Sequence, residues 1–165
     1  MGFVFQDADD QLFMPTVEED VAFGPLNMGL PADEVRARVQ RALQTVGAAH
    51  LAGRAPYRLS GGEKRAVAIA GVLAMSPDVL VLDEPSAGLD PAARRRLIVL
   101  LRSFDHTKVI ATHDLDLVLE VCTRVLGLHE GRVLGDGAPA EIFGDAEPLR
   151  RCHLEPPLSW QGRAS

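Results

Sequence analysis

Two short segments hold most of the residues able to do chemistry. LSGGE at 59–63 sets a hydroxyl, Ser60, and two adjacent glycines, Gly61 and Gly62, just ahead of the helical pattern KRAVAIAG. A helix N-terminus presents unpaired N–H donors and a positive dipole end to an anion, and glycines let that backbone approach a phosphate closely. The same residues satisfy a purely structural account, because Ser60 with Glu63 three residues on is a capping box. The second segment is VLVLDEPSAGLD at 79–90. An apolar run ending in Asp83 and Glu84 places two carboxylates at the carboxyl edge of a parallel sheet, where ligand sites of α/β folds lie. Asp83 suits a Mg²⁺ ion on nucleotide phosphates, and Glu84, facing differently, suits a base taking a proton from an attacking water. The competing account is a strand end turning through Pro85 with two solvated acids. Further on, KVIAT at 108–112 leads into His113 and Asp114. A strand-end His can contact a terminal phosphate or orient a water, although a lone His there more often has a structural job.

These residues need elements to aim them, and the surrounding pattern supplies an α/β alternation. FVF, VLVLD and KVIAT read as buried strands, VLVLD with the continuous apolar run of a parallel-sheet strand covered on both faces. Thr16 and Glu19 have capping-box spacing at the start of a helix whose length Pro25 limits. Val35, Val39, Ala42, Leu43 and Val46 recur at helical spacing and Gly47 supplies the stop. A helix should run from Ser60 to before Pro77, and another from Pro91 with Asp90 as its cap. LDLVLEVC reads as a helix and RVLGLHEGRVLGDG as a hairpin turning at Glu130 and Gly131. AEIF and AEPLRRC read as short helices before a Pro-rich end, EPPLSW.

Composition narrows the function classes. At 165 residues, with 47% hydrophobic and 24% charged, the chain has the makeup of one globular domain. A net charge of −6, with 5% aromatic residues, argues against nucleic acid as a direct ligand. Cys122 and Cys152 have no neighbours at metal-ligand or redox spacing, which fits a reduced cytosolic compartment. The longest apolar stretch, VAIAGVLAM, is about half of what a membrane crossing requires.

In order and spacing, LSGGE (59–63), VLVLDE (79–84), SAGLD (86–90) and TH (112–113) resemble the motifs of the ATP-binding cassette ATPases, with FQ (5–6) in place of their Q-loop. QDADDQLFMPTVEEDVAFGPLNMGLP and LSGGEKRAVAIAGVLAMSPDVLVLDEP are similar to the ATPases of energy-coupling-factor importers, especially of the cobalt and nickel type. The resemblance spans Phe3 to about Pro157. It implies an α/β, P-loop NTPase-like, mainly parallel sheet with a helical signature subdomain: Q-loop and helical subdomain at about 6–76, Walker B to H-loop core at about 77–145, and a tail at 158–165. It implies ATP and Mg²⁺ as ligands, a second ABC ATPase subunit, identical or not, closing head to tail, a membrane component, and a peripheral place on the cytoplasmic face of the membrane.

Residue by residue, the resemblance implies that Gln6 senses Mg²⁺ and the attacking water. Ser60, Gly61 and Gly62, followed by Glu63 where Gln is common, would contact the γ-phosphate of ATP on the opposite subunit. Asp83 would hold Mg²⁺ through water, Glu84 would be the general base, Asp90 would communicate across the dimer and His113 would contact the γ-phosphate. One departure is large. No GxxxxGK[ST] phosphate loop occurs, and the only lysines, Lys64 and Lys108, lack its glycine pattern. The upstream adenine-stacking aromatic and the antiparallel part of the sheet are absent as well. Met1 therefore reads as a cut within a strand, with the P-loop strand and helix missing before it. Three readings follow: an importer ATPase lacking its amino-terminal part, a non-hydrolysing partner that lends Ser60 to Gly62 to an intact subunit, and a chromosome-maintenance ATPase, which would need heptad coiled coils that the sequence does not contain. A chain with uncovered apolar sheet faces should be marginally stable or aggregate.

Overall fold

The computed structural model describes residues 1–144, 149–150 and 154–161. Cys152, the tail beyond 161 and most of the helix expected over 146–152 lie outside the described residues. The chain divides into two compact units, Met1–Ala111 and Thr112–Ser165.

In the first unit β1 (Gly2–Val4), β2 (Val79–Asp83) and β3 (Thr107–Ala111) form a parallel sheet in that order. The register pairs Val4 with Leu82 and Leu82 with Ile110, and pairs Phe3 with Val81 and Val81 with Val109. Side chains alternate across a strand, so Val4, Leu80, Leu82 and Ile110 share one face, while Phe3, Val81, Val109 and Asp83 share the other. Val4, Leu80 and Leu82 are completely buried, but Phe3 is 44% and Val109 54% exposed. The expectation of strands buried on both faces is thus corrected: β2 is fully buried on one face only, and β3 has Thr107, Val109 and Ala111 exposed. Within the described residues of this unit one face of the sheet is packed and the other is left partly exposed, although the second is also largely apolar.

The helices of this unit are α1 (Val17–Asn27), α2 (Ala32–Thr45), α3 (Gly61–Ala74) and α4 (Pro91–Arg102). α1, α2 and α3 close on a core that includes Val17, Val21, Val39, Leu43, Leu51 and Val67. α3 buries Val67, Ala68, Ile69, Ala70 and Val72, which explains a run too apolar to show a polar stripe. α1 begins with the Thr16–Glu19 capping box but passes through Pro25 to Asn27. Proline forfeits only its own N–H, and the turn beyond is closed by the Met28 N–H donating to the Gly24 carbonyl at 3.1 Å.

The second unit contains α5 (Leu115–Val121), the antiparallel pair β4 (Val125–His129) and β5 (Arg132–Gly137), and α6 (Pro139–Gly144). Glu130 at φ 47° and Gly131 at φ 74° make the two-residue turn, both residues in the left-handed region that a primed hairpin turn requires. Arg124 grips Asp136 with two 2.7 Å hydrogen bonds across the hairpin. Leu115, Val118, Phe143 and Leu149 form a small core of their own.

Candidate functional site

The first unit holds an open cleft of about 730 Å³ whose walls include Gln6, Asp7, Asp9, Gly61, Lys64 and Asp83. Gln6 follows β1, Gly61 opens α3 and Asp83 ends β2, so three elements distant in sequence bring their functional residues to one place. Asp83 lies on the uncovered face of the sheet, at its carboxyl edge. Glu84 directly after it has φ +40°, a left-handed conformation rare for residues with a side chain, and its N–H donates to the Ala111 carbonyl at 2.8 Å. Such strain costs about 1–3 kcal/mol and clusters at functional sites. The reversed twist interrupts the strand alternation, so Glu84 does not simply face opposite Asp83 as an extended residue would.

At the start of α3 the capping box is complete. The Ser60 Oγ accepts the Glu63 N–H at 3.3 Å, and one Glu63 oxygen accepts both the Ser60 N–H at 2.8 Å and the Ser60 hydroxyl at 2.9 Å. These bonds from Ser60 hold the Glu63 carboxyl below the ordinary glutamate range, with Arg54 and His50 adding weaker attraction. The structural account of SGGE therefore holds here. The two glycines differ. A Cβ at Gly62 would stand 2.8 Å from the Ala93 Cβ of α4, whereas one at Gly61 would meet nothing within 4 Å. Gly62 is required for close packing of α3 on α4; among the described residues no neighbour explains Gly61.

Asp90 caps α4, its Oδ1 accepting the Ala93 N–H at 2.8 Å. His113 belongs to the second unit, on the wall of a smaller hollow of about 290 Å³ with Asp114, Asp116 and Pro157. Asp114 there caps α5 by accepting the Leu117 N–H at 3.0 Å.

The cations of the cleft are already engaged. Lys64 Nζ sits 2.6 and 2.9 Å from the two Asp9 oxygens. Arg65, only 5% exposed, donates to the Phe5 carbonyl at 2.6 Å and to the Gln6 carbonyl at 2.5 Å. Sequence reasoning missed Arg65, although a signal exists: it stands in helical register with the buried Ala68, Ile69 and Val72. It also missed Asp20, which accepts the Phe13 and Met14 N–H groups at 3.0 Å each. Burial pushes the Asp20 carboxyl above the ordinary aspartate range, outweighing those two bonds, and Glu19 pushes the same way.

Among the described residues no group of three or more His, Cys, Asp or Glu could cage a metal. The Asp83 carboxylate and the Gln6 amide oxygen, both lining the cleft, fit Mg²⁺, which takes one or two carboxylates and draws its remaining ligands from water and substrate phosphates. No helix of the described residues is long and apolar enough to cross a membrane.

A mixed α/β unit with a parallel sheet, a helix capped at the Ser60 of SGGE and an acidic strand end is the fold of an ABC ATPase. The solved structure of cbiO1 from Clostridium perfringens, described as part of the ABC transporter complex cbiONQ, matches with a TM-score of 0.81 and 46% identity, over 98% of this chain and 65% of that one. A family model described as ABC transporter matches residues 1–87, and the chain belongs to that family. GSU1281 of Geobacter sulfurreducens, named as an ABC transporter ATP-binding protein, is 65% identical over 162 residues, 98% of this chain and 65% of that protein. The energy-coupling factor transporter ATP-binding protein EcfA of Methanocaldococcus jannaschii is 49% identical over 160 residues, 95% of this chain and 57% of that protein. The chain spans less than two thirds of the length of each of these three relatives.

Proposed function

We propose that the chain is part of an ATP-binding and ATP-hydrolysing subunit that energises a membrane importer, of cobalt, nickel or another micronutrient. The observation that carries this reading is the single cleft lined by Gln6, Gly61 and Asp83 in a chain of the ABC transporter family. The names EcfA and cbiO1 support the importer class. Asp83 and Gln6 would hold Mg²⁺, which when bound offsets phosphate charge. Glu84 would take the proton of the attacking water, and His113 would donate to the terminal phosphate. Ser60, Gly61 and Gly62 would serve ATP held by a second ATPase subunit, and Asp90 would lie at that junction. For Ser60 to offer its hydroxyl to a phosphate it must first let go of Glu63, to which it is bonded here.

A surface for the membrane component is supported by Phe13, Phe23 and Leu26, which are 63%, 44% and 57% exposed. The Phe13 and Phe23 rings stand edge to face, 4.9 Å apart, above the Asp20 anchor. A peripheral position on the cytoplasmic face of the membrane follows from that docking. Co-expression with an intact ABC ATPase subunit and an importer's membrane component tests the reading. All three should copurify in detergent; recovery of the other two without this chain would reject it.

A second reading is favoured by one specific observation. At the start of α3 a Cβ on Gly61 would meet nothing within 4 Å, so the signature end is open to another subunit. The chain would then lend Ser60 to Gly62 to an intact subunit and hydrolyse nothing by itself. Under both readings the chain alone should show no ATPase activity above a buffer blank.

A further inference from the structure

We propose that Arg65 is a positioning residue for Gln6, tying the loop that carries Gln6 to the signature helix α3 so that the two move as one body. This rests on the ATPase reading for its purpose, but not for its geometry. A buried cation ordinarily has a carboxylate partner, because removing its hydration is costly. Arg65 has none. Its Nη1 and Nη2 go to two successive main-chain carbonyls, those of Phe5 and Gln6, and its Nε is buried with no partner. Burial lowers its pKa while Asp7 pulls the other way. A guanidinium placed at such cost, in the apolar stripe of α3, fixes the direction in which the Gln6 peptide faces, because its planar fork meets two carbonyls at once.

Two further ties make the connection rigid rather than a single pivot. Lys64, directly before Arg65, holds Asp9, three residues beyond Gln6. Gln11 accepts the Phe5 N–H with its Oε1 and donates its Nε2 to the Ala68 carbonyl of α3, each at 3.2 Å. The segment from Phe5 to Gln11 is therefore laced to α3 at Lys64, Arg65 and Ala68, a little over one turn of the helix that Ser60 and Glu63 cap. Anything that shifts the Ser60 end of α3 shifts Gln6 with it, and the reverse. In a head-to-tail pair, that would link a nucleotide at the signature end to the residue sensing metal and water at the other.

The test uses the full chain without nucleotide, so a failure here rejects the clamp and leaves the ATPase reading to its own experiments. Amide hydrogen exchange is compared in the wild type, Arg65→Met and Arg65→Lys. We expect Arg65→Met to speed exchange at Phe5, Asp9 and Gln11 by about tenfold or more, while the amides of Leu80 and Leu82 keep their protection. Arg65→Lys, whose single ammonium reaches one carbonyl, should bring part of that protection back, which a purely space-filling role would not. Equal exchange at those three amides in all three folded proteins would overturn the proposal. If Arg65→Met fails to fold, the wild type decides by NMR. Slowly rotating Arg65 Nη resonances with couplings across hydrogen bonds to the Phe5 and Gln6 carbonyl carbons support the clamp, and a freely rotating guanidinium without them rejects it.

Discussion

The two faces of the three-stranded sheet are equally apolar in sequence and opposite in environment. On one, Leu80 and Leu82 are at 0% exposure; on the other, Phe3 and Val109 are about half exposed. The covered face fixes where β2 ends, and so where Asp83 and Glu84 are presented. The open face carries Asp83 itself, with space for a ligand or another segment of protein beside it. Burial on the covered face sets the position of the site.

The largest effect should come from breaking the covered face. Leu82→Ala is expected to cost about 3 kcal/mol in urea unfolding, whereas Val109→Thr, across the sheet, should change stability by less than about 0.5 kcal/mol. Phe3→Ser with Val109→Thr should instead lower self-association in sedimentation, since an exposed apolar face beside an open strand edge invites aggregation. Equal losses from both faces would dissolve the distinction.

The adjacent glycines repeat the contrast on a smaller scale. Gly62→Ala should lose about 1–3 kcal/mol by forcing α3 from Ala93, while Gly61→Ala should be nearly neutral for folding. Next in size, Ser60→Ala should cost about 1 kcal/mol by removing the cap of α3. That cap has a pH sign. Because the folded Glu63 carboxyl lies below its unfolded value, its contribution is fully present above about pH 4.3 and is lost as pH falls through the lower folded value. Thermal midpoints measured against pH should lose this acid-side dependence in Glu63→Gln. Asp20 works in the opposite direction. Its folded value is raised, so the fold favours the protonated form, and that stability is lost as pH rises through the folded value. Asp20→Asn, which keeps the acceptor for the Phe13 and Met14 N–H groups, should give a small gain at pH 7 that shrinks in acid.

What could be read from the sequence was what neighbouring residues encode. Both capping boxes, the Asp90 cap, the stop at Gly47 and the Glu130–Gly131 turn depend on contacts within a few residues, and each is present. What failed or was missed depends on residues far apart. Continuous apolar runs such as VLVLD state that a strand can be covered on both faces, not that a layer is there to cover it. Pro25 proved compatible with two more helical residues because only one hydrogen bond was at stake. The register of Arg65 with Ala68, Ile69 and Val72 marks it as buried but not what it holds, since its partners lie about 60 residues away, while Asp20 finds its own in the loop just before α1. The strained Glu84 backbone likewise arises from the strand end it must leave and the Ala111 carbonyl it must meet.

The most direct test of the central claim is the ATPase rate of an intact ABC ATPase subunit, one carrying its own glycine-rich phosphate loop, with and without an excess of this chain. The account predicts a rise that folded Gly61→Ala abolishes, because Gly61 has open space before it and no packing role. Loss of the same rise in Glu84→Gln would favour hydrolysis at this chain's own strand end, and its survival would favour the lending of Ser60 to Gly62. No rise with folded chain present, or a rise untouched by Gly61→Ala, would contradict the account.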